Sequence, residues 1–144
     1  MKQINKILLY LDSTEVAESA LASAIFLSNL QNATIIALNV INQHVVTQLA
    51  KHSGKTLAEV EIELEENSWS YLYAAEDTAK NEGAHIVIMQ EYGYPEEVLS
   101  RIATEYSVDL VILAHAGKKG TDQAHSRMIS HFIEQIPCAV LVVK

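Results

Sequence analysis

Short apolar runs alternate with helix-like patterns along the whole chain, and this alternation restricts the fold more than any other feature. Each run is only a few residues long and is hydrophobic at nearly every position, which is typical of strands buried on both faces. Strands and helices that follow one another in turn predict an α/β fold: a doubly wound, five-stranded parallel sheet with helices on both faces and right-handed crossovers. The predicted strands are residues 6–11, 33–41, 84–89, 110–114 and 139–143.

The segments between these runs differ in how clearly they indicate helices. Ser13 or Thr14 is expected to cap the first helix, because a hydroxyl at that position accepts from an unpaired backbone N–H. Residues 42–55 show no pattern beyond one helical turn. Residues 91–94 are predicted as a loop, and Pro95 suits the first position of the helix that follows it.

A long helix is predicted to start at Thr56 and to end before Gly83, since glycine is favoured just after a helix C-terminus. Its inward face is expected to include Tyr71, whereas Trp69 and Tyr73 fall off that face. The full predicted stripe is Leu57, Val60, Leu64, Ser68, Tyr71, Leu72, Ala75 and Ala79.

Composition limits the class of protein and its partners. The 144 residues suit one domain spanning 1–144, and 49% hydrophobic with 19% charged residues is typical of a globular protein. No apolar run approaches the ~20 residues of a membrane span, and the N-terminus does not resemble a signal peptide. Because Cys138 is the single cysteine, no internal disulfide can form, and we expect a cytoplasmic protein. The net charge of −8 argues against nucleic acid as a partner.

In doubly wound sheets, ligands bind beyond the carboxyl ends of the strands, where the strand order reverses. With the order 3-2-1-4-5, Asp12 at the end of the first strand faces the loop at 114–120 across one crevice. Two interpretations of Asp12 remain open. Its carboxylate accepts a hydrogen bond from an adenine amino group or a ribose hydroxyl, or it caps the first helix and satisfies loop amides.

The loop after the fourth strand contains Gly117 and Gly120 on either side of two lysines, and a helix is predicted at about 125–135. Backbone N–H groups before a helix favour anions, so the loop is a candidate phosphate site; a solvated loop is the alternative. His115 and His125 flank it. The loop lacks P-loop spacing, and the chain contains neither the His/Cys spacing of a metal site nor a nucleophile elbow, so we assign no metal ligands and no catalytic residues.

Four segments of the chain resemble the universal stress protein family, and the resemblance covers nearly the whole length. It implies a Rossmann-like, adenine nucleotide alpha hydrolase-like domain that dimerises; many members bind ATP or AMP, and others bind no nucleotide. The segments are residues 6–12, 93–98, 108–113 and 136–143.

The nucleotide-binding members carry Gly-x2-Gly-x9-Gly-(Ser/Thr) after the fourth strand, and this chain departs from that motif. Ala114 stands at the first glycine, Gly117 matches the second, Ser126 stands at the third, and Arg127 replaces the hydroxyl residue. The spacer between Gly117 and Ser126 is one residue short. The candidate nucleotide-binding residues, including the positions where Asp12 and Val40 match the family's adenine contacts, are Asp12, Val40, Ala114, His115, Gly117, Gly120, Ser126 and Arg127.

Three functions follow from the sequence as alternatives. The leading one is a cytosolic regulatory protein that binds ATP or AMP through a degenerate phosphate loop. The second is an interaction module that dimerises without a ligand, and the third is a slow ATPase. A homodimer through residues 138–143 is expected, because the last strand lies at the edge of the predicted sheet and is apolar on both faces.

Overall fold

The computed structural model describes residues 3–12, 16–115 and 123–144, and its strands form one sheet in the order β3-β2-β1-β4-β5. Every pairing between neighbouring strands is parallel, so the predicted α/β sheet and its order are confirmed. The strands are β1 Lys6–Tyr10, β2 Thr34–Asn42, β3 His85–Gly93, β4 Leu110–Ala114 and β5 Ala139–Val143.

Helices cover both faces of the sheet and create two cores. On one face α1 and α3 pack over a cluster that includes Ile7, Leu9 and Ile112, all fully buried. On the other face α4 and α5 pack over Leu8 and Leu113, which are equally inaccessible. The helices are α1 Ala17–Gln31, α2 Gln43–Ser53, α3 Leu57–Asn81, α4 Pro95–Glu105 and α5 Gln123–Gln135.

The first helix starts later than predicted. It begins at Ala17, and Val16 occupies the N-cap position without a side-chain hydrogen bond. Capping by Ser13 or Thr14 is therefore wrong as a description of this helix, and both residues lie outside the described part of the chain. The physical reason is that a capping residue must directly precede the first helical residue to reach its N–H groups.

Strand β3 extends further than its apolar run. The sequence predicted a strand to residue 89 and a loop at 91–94, but β3 continues to Gly93, paired with β2 along its whole length. Contacts with α3 hold this extension: the Gln90 side chain donates to the Glu65 carbonyl at 3.2 Å, and the Tyr92 hydroxyl donates to the Glu65 carboxylate at 2.6 Å. As a result β2 and β3, with nine residues each, project beyond the five-residue strands β1 and β4.

Residues 42–55, for which the sequence indicated one helical turn, contain the eleven-residue helix α2. The Asn42 side chain caps it by accepting from the backbone N–H of His44 at 3.0 Å, and Gly54 ends it with a φ of +73°. A small core of its own, built on Ile41, Val46 and Val60, joins α2 to β2 and α3.

The long helix begins and ends as predicted, but one side of its inward face was misassigned. Thr56 Oγ1 accepts from the backbone N–H of Glu59 at 3.1 Å, and Gly83 follows the helix with a positive φ. Tyr71 is 41% exposed, while Trp69 packs against the core and stacks on Tyr73. The reason is angular: Leu72 points directly inward, and at 100° per residue position 69 lies closer to it around the helix than position 71 does. No helix in the described ranges is long and apolar enough to cross a membrane.

Candidate functional site

The carboxyl ends of β1 and β4 form the point at which the strand order reverses. From β1 the chain continues to β2 on one side, while β4 and β5 lie on the other. In the sheet register Tyr10 pairs with Leu38, and Leu9 pairs with Ile112. When this register is continued beyond the last paired residues, Asp12 aligns with Val40 of β2 on one side and with His115, which follows β4, on the other. Three of the predicted site residues are therefore brought to the same edge of the sheet.

Asp12 follows directly on the last paired residue of the first strand. The backbone N–H of Leu11 still donates to the Leu38 carbonyl at 2.8 Å, and Asp12 is the next residue, with a half-buried side chain. Because Val16 occupies the N-cap position of α1, Asp12 does not cap that helix. The helix-cap interpretation of Asp12 is thus contradicted, whereas its contact with a ligand and its contact with loop amides both stay hypotheses.

Tyr10 and Glu96 share this environment, and the sequence reasoning did not assign either to the site. Tyr10 is only 8% exposed. Burial raises the pKa of its hydroxyl well above the usual range, and the negative charges of Asp12 and Glu96 raise it further. Glu96 lies in the first turn of α4, so its charge acts on Tyr10 from a helix of the second core. This part of the crevice is acidic and favours ligand groups that donate hydrogen bonds.

The other described site residues give the crevice an apolar wall and a fixed edge. Val40 is 7% exposed and belongs to the core under α4 and α5. Ala114, the last residue of β4, is buried. The backbone N–H of His115 donates to the Val143 carbonyl at 2.8 Å, so the pairing of β4 with β5 continues past the end of β4 and holds His115 in place.

The predicted phosphate subsite is only partly within the described chain. Gly117 and Gly120 lie outside the described residues. Ser126 is on α5, but its side chain lies outside the description, and Arg127 on the same helix is exposed. The structure therefore gives positions for Asp12, Val40, Ala114 and His115, the part of the predicted site expected to contact the base. The role of the loop remains a prediction from the sequence.

The residues at this edge suit an adenine base and its ribose. A half-buried carboxylate at Asp12 accepts from an exocyclic amine or a sugar hydroxyl, and a buried aliphatic side chain at Val40 offers a surface for a flat ring. Such a pair can orient a ligand, because the carboxylate accepts a hydrogen bond in one direction and the aliphatic side chain excludes water from the face of the ring.

Asn39 is a further residue that the sequence reasoning missed. It is 8% exposed within β2, and its side-chain amide donates to the Leu11 carbonyl at 2.6 Å. One signal was visible in the sequence, since Asn39 interrupts an otherwise apolar strand, and buried polar groups require partners. The partner itself, 28 positions away, was not visible.

Among the residues that the structure describes, metal-ligating side chains are not grouped, and the thiol of Cys138 has a raised pKa. Within residues 3–12, 16–115 and 123–144, no group of three or more His, Cys, Asp or Glu side chains is placed to hold a metal ion. Cys138 is half-buried, and burial raises the pKa of its thiol, an effect that the charge of Asp109 reinforces. A raised pKa keeps the sulfur protonated and unreactive at neutral pH.

Comparison with known proteins agrees with this fold. The chain is 25% identical to the universal stress protein YxiE of Bacillus subtilis over 146 residues, which covers 97% of the chain and 99% of the relative. Universal stress protein UspA from Lactobacillus plantarum superimposes with a TM-score of 0.82 at 18% identity, with full coverage of both chains.

Two further similar structures were solved with nucleotides. A universal stress protein in complex with cAMP matches with a TM-score of 0.71 at 18% identity, covering 99% of this chain and 98% of the other. The universal stress protein from Archaeoglobus fulgidus in complex with dAMP matches with a TM-score of 0.69 at 16% identity and full coverage of both. The model of the universal stress protein family matches residues 3–144, and the chain therefore belongs to the universal stress protein family.

Proposed function

We propose that this chain is a regulatory protein of the universal stress type that binds an adenine nucleotide at the carboxyl ends of β1, β2 and β4. The proposal rests on the register of β2, β1 and β4, which, continued beyond the last paired residues, aligns Val40, Asp12 and His115 at the point where the strand order reverses. An apolar surface and a carboxylate in one row supply what the base and ribose of a nucleotide require.

The relatives support an adenosine monophosphate unit as the part recognised. Both nucleotides found in the similar structures, cAMP and dAMP, carry an adenine base, a sugar and a single phosphate. In this chain the base side of the crevice is formed by described residues, whereas Ala114, Ser126 and Arg127 replace three positions of the phosphate motif. We therefore propose that the site recognises the adenosine monophosphate unit, as AMP or a cyclic form of it, and that ATP binds through the same unit with little added affinity from its outer phosphates.

The acidic surroundings of Asp12 favour the same conclusion. The charges of Asp12 and Glu96 both raise the pKa of Tyr10, and a carboxylate close to a polyphosphate would repel it. A ligand with fewer negative charges meets less repulsion at this edge. The base and ribose then contribute a larger share of the binding free energy than the phosphates do.

Isothermal titration calorimetry with AMP, cAMP and ATP tests the proposal. Asp12→Ala should weaken AMP binding by about 1–3 kcal/mol, because hydrogen bonds to a charged group are lost. Asp77→Ala is the matched control: Asp77 is exposed near the C-terminal end of α3, at the opposite edge of the sheet, and its removal should leave affinity unchanged. Wild-type protein that binds none of the three nucleotides would contradict the proposal, and phosphate release from ATP above the Asp12→Ala background would favour the slow ATPase instead.

A second proposed function, as an interaction module that dimerises, is favoured by the surface beside β5. Strand β5 is at the edge of the sheet, and Leu141 projects toward α1, where it lines a shallow pocket of about 400 Å³. Phe26, 66% exposed, lines the same pocket. The other lining residues are Ala22, Ser23 and Leu27.

This surface has few charges to oppose a second copy of an acidic chain. Glu18 is the single acidic or basic residue of α1, and Phe26 and Leu30 are large apolar side chains exposed on its outer side. Exposed apolar patches are typical of interaction surfaces. We propose that a two-fold related copy covers this surface and pairs with the edge of β5. Such a dimer is compatible with nucleotide binding and equally with an interaction module that has no ligand.

A further inference from the structure

One hydrogen bond joins the ends of β1 and β2 at the proposed site. The Asn39 side-chain Nδ2 donates to the carbonyl oxygen of Leu11 at 2.6 Å, and both residues are almost inaccessible to solvent. In a regular parallel ladder, the Leu11 carbonyl would next accept from the backbone N–H of Val40. Here a side chain supplies a donor to it, at the residue that directly follows β1.

A buried asparagine in a central strand has an energetic cost that needs an explanation. Its amide loses hydration on burial, and an unpaired amide in that position would be destabilising. The neighbours of Asn39 along β2 are apolar, and an aliphatic residue would fill the same volume without that cost. What the asparagine adds is a directional link to the end of β1.

The two residues that follow the bonded pair are those assigned to the base. Asp12 comes directly after Leu11, and Val40 comes directly after Asn39. The bond therefore links the two backbone segments that carry the carboxylate of Asp12 and the apolar side chain of Val40. We propose that Asn39 is a positioning residue of the nucleotide site, acting through the backbone at Leu11 on the relative placement of Asp12 and Val40; this inference rests on the proposed function.

The chain contains a matched control for this role. Ser28 is 2% exposed, and its hydroxyl donates to the Ala33 carbonyl at 2.6 Å. It is thus a buried side chain that bonds to a backbone carbonyl over the same distance. However, this bond lies where α1 leads into β2, at the opposite edge of the sheet. Loss of either bond leaves a buried carbonyl with one donor fewer, but only the bond of Asn39 adjoins the proposed site.

The test compares Asn39→Leu and Asn39→Thr with Ser28→Ala. Leucine has a similar volume to asparagine but no hydrogen-bond donor. Threonine is favoured in strands and keeps a donor, but its side chain is too short to reach the Leu11 carbonyl. AMP affinity by calorimetry should fall about tenfold in both Asn39 variants, the equivalent of about one hydrogen bond. It should change by less than about twofold in Ser28→Ala, even where the thermal stability of all three variants falls.

A double-mutant cycle with Asp12→Ala then separates positioning from general destabilisation. If Asn39 acts by placing Asp12, the loss caused by Asn39→Thr should largely disappear in the Asp12→Ala background, because the misplaced group is already absent. Hydrogen exchange without nucleotide should show faster exchange at the Leu11 and Asp12 amides in Asn39→Thr, and no such change in Ser28→Ala.

The outcomes distinguish this inference from the proposed function. Wild-type protein that binds AMP, with Asn39 variants that bind it equally well, would overturn the positioning role and leave the proposed function standing. Additive losses in the cycle would also overturn it, since Asn39 would then act independently of Asp12. Wild-type protein that binds no adenine nucleotide would overturn both.

Discussion

The hydroxyl of Tyr92 donates a 2.6 Å hydrogen bond to Oε1 of Glu65 and thereby fastens the end of β3 to α3. This bond and the charge of the carboxylate stabilise the neutral phenol. The hydrogen bond with Glu65 is the main reason that the pKa of Tyr92 is raised from 10.0 to about 12. The hydrogen bond that holds the C-terminal end of β3 therefore depends on the protonation of Tyr92, and so on pH.

Tyr92→Phe should lower the free energy of unfolding by about 0.5 kcal/mol near pH 8, a small value because the pair is exposed to solvent. The folded pKa lies above the unfolded one, so the contribution is present in full below pH 10 and is lost as the pH rises toward 12. Urea unfolding of both proteins from pH 8 to pH 11 measures the difference. Tyr73→Phe on α3 is the control; a Tyr92→Phe difference that stays constant with pH would contradict the assigned bond.

The start of the sheet has a similar link, from Asp109 to the first strand. Asp109 Oδ2 accepts from the backbone N–H groups of Asn5 at 2.8 Å and Lys6 at 3.0 Å, and the Asp109 N–H donates to the Lys6 carbonyl. Asp109→Ala should lower the free energy of unfolding by about 1–3 kcal/mol, since two backbone donors lose a charged acceptor.

Chemical denaturation of Asp109→Ala beside Asp77→Ala measures this effect. Asp77 is exposed on α3, so its removal should change the unfolding free energy by less than about 0.5 kcal/mol. Equal midpoints for the two variants would show that the link contributes nothing measurable. Because Asp109 is at the edge opposite the proposed site, neither variant should alter nucleotide affinity.

The sequence predicts those parts of the fold that depend on local pattern. Strands β4 and β5 have the bounds expected from their apolar runs, and Thr56 caps α3 as its position before the helical pattern indicates. The strand order 3-2-1-4-5, which was the premise for the predicted crevice and not a result of the local pattern, is confirmed. The bounds of these strands and the start of α3 can be predicted without knowing which distant residues are in contact.

Features that depend on contacts between residues far apart in the chain could not be predicted from the sequence. The polar end of β3 resembles a loop until Tyr92 is seen to bond Glu65, 27 positions earlier. Helix α2 has a mostly exposed sequence, and its burial against α3 through Val46 is a tertiary effect. In the candidate site Asp12 and Val40 were recognisable by resemblance, whereas Asn39 acquires a role only when its amide is seen to reach Leu11.

The ratio of AMP to ATP affinity is the next prediction. Ala114, Ser126 and Arg127 stand where the family motif has Gly, Gly and Ser/Thr, so contacts to the β- and γ-phosphates should be weak. We expect AMP to bind within about fivefold of ATP, a difference of about 1 kcal/mol. Calorimetry at a fixed ionic strength measures the ratio. Nanomolar ATP affinity, or ATP binding a hundredfold tighter than AMP, would show that the loop retains a working phosphate site.

The last prediction concerns the dimer proposed through β5. The Val143 carbonyl faces β4, where it accepts from the His115 N–H, and alternate residues of a strand turn their backbone groups to opposite sides. The N–H of Val142 therefore points away from β4, to the side on which a second copy would pair. Val142→Pro removes that outward donor and keeps the bonds to β4, a substitution that edge strands accept.

Sedimentation equilibrium at micromolar concentration should show a dimer for the wild type and a monomer for Val142→Pro, with circular dichroism confirming that the variant is folded. Phe26→Ser should weaken the dimer at least tenfold, because a large apolar side chain is lost from the surface beside β5. Leu57→Ser is the control, since Leu57 is 56% exposed but lies on α3, away from that surface. A wild-type monomer would contradict the dimer itself. A dimer that survives both Val142→Pro and Phe26→Ser would have to form through a different surface, because the edge of β5 and the outer side of α1 would each have been shown to be dispensable.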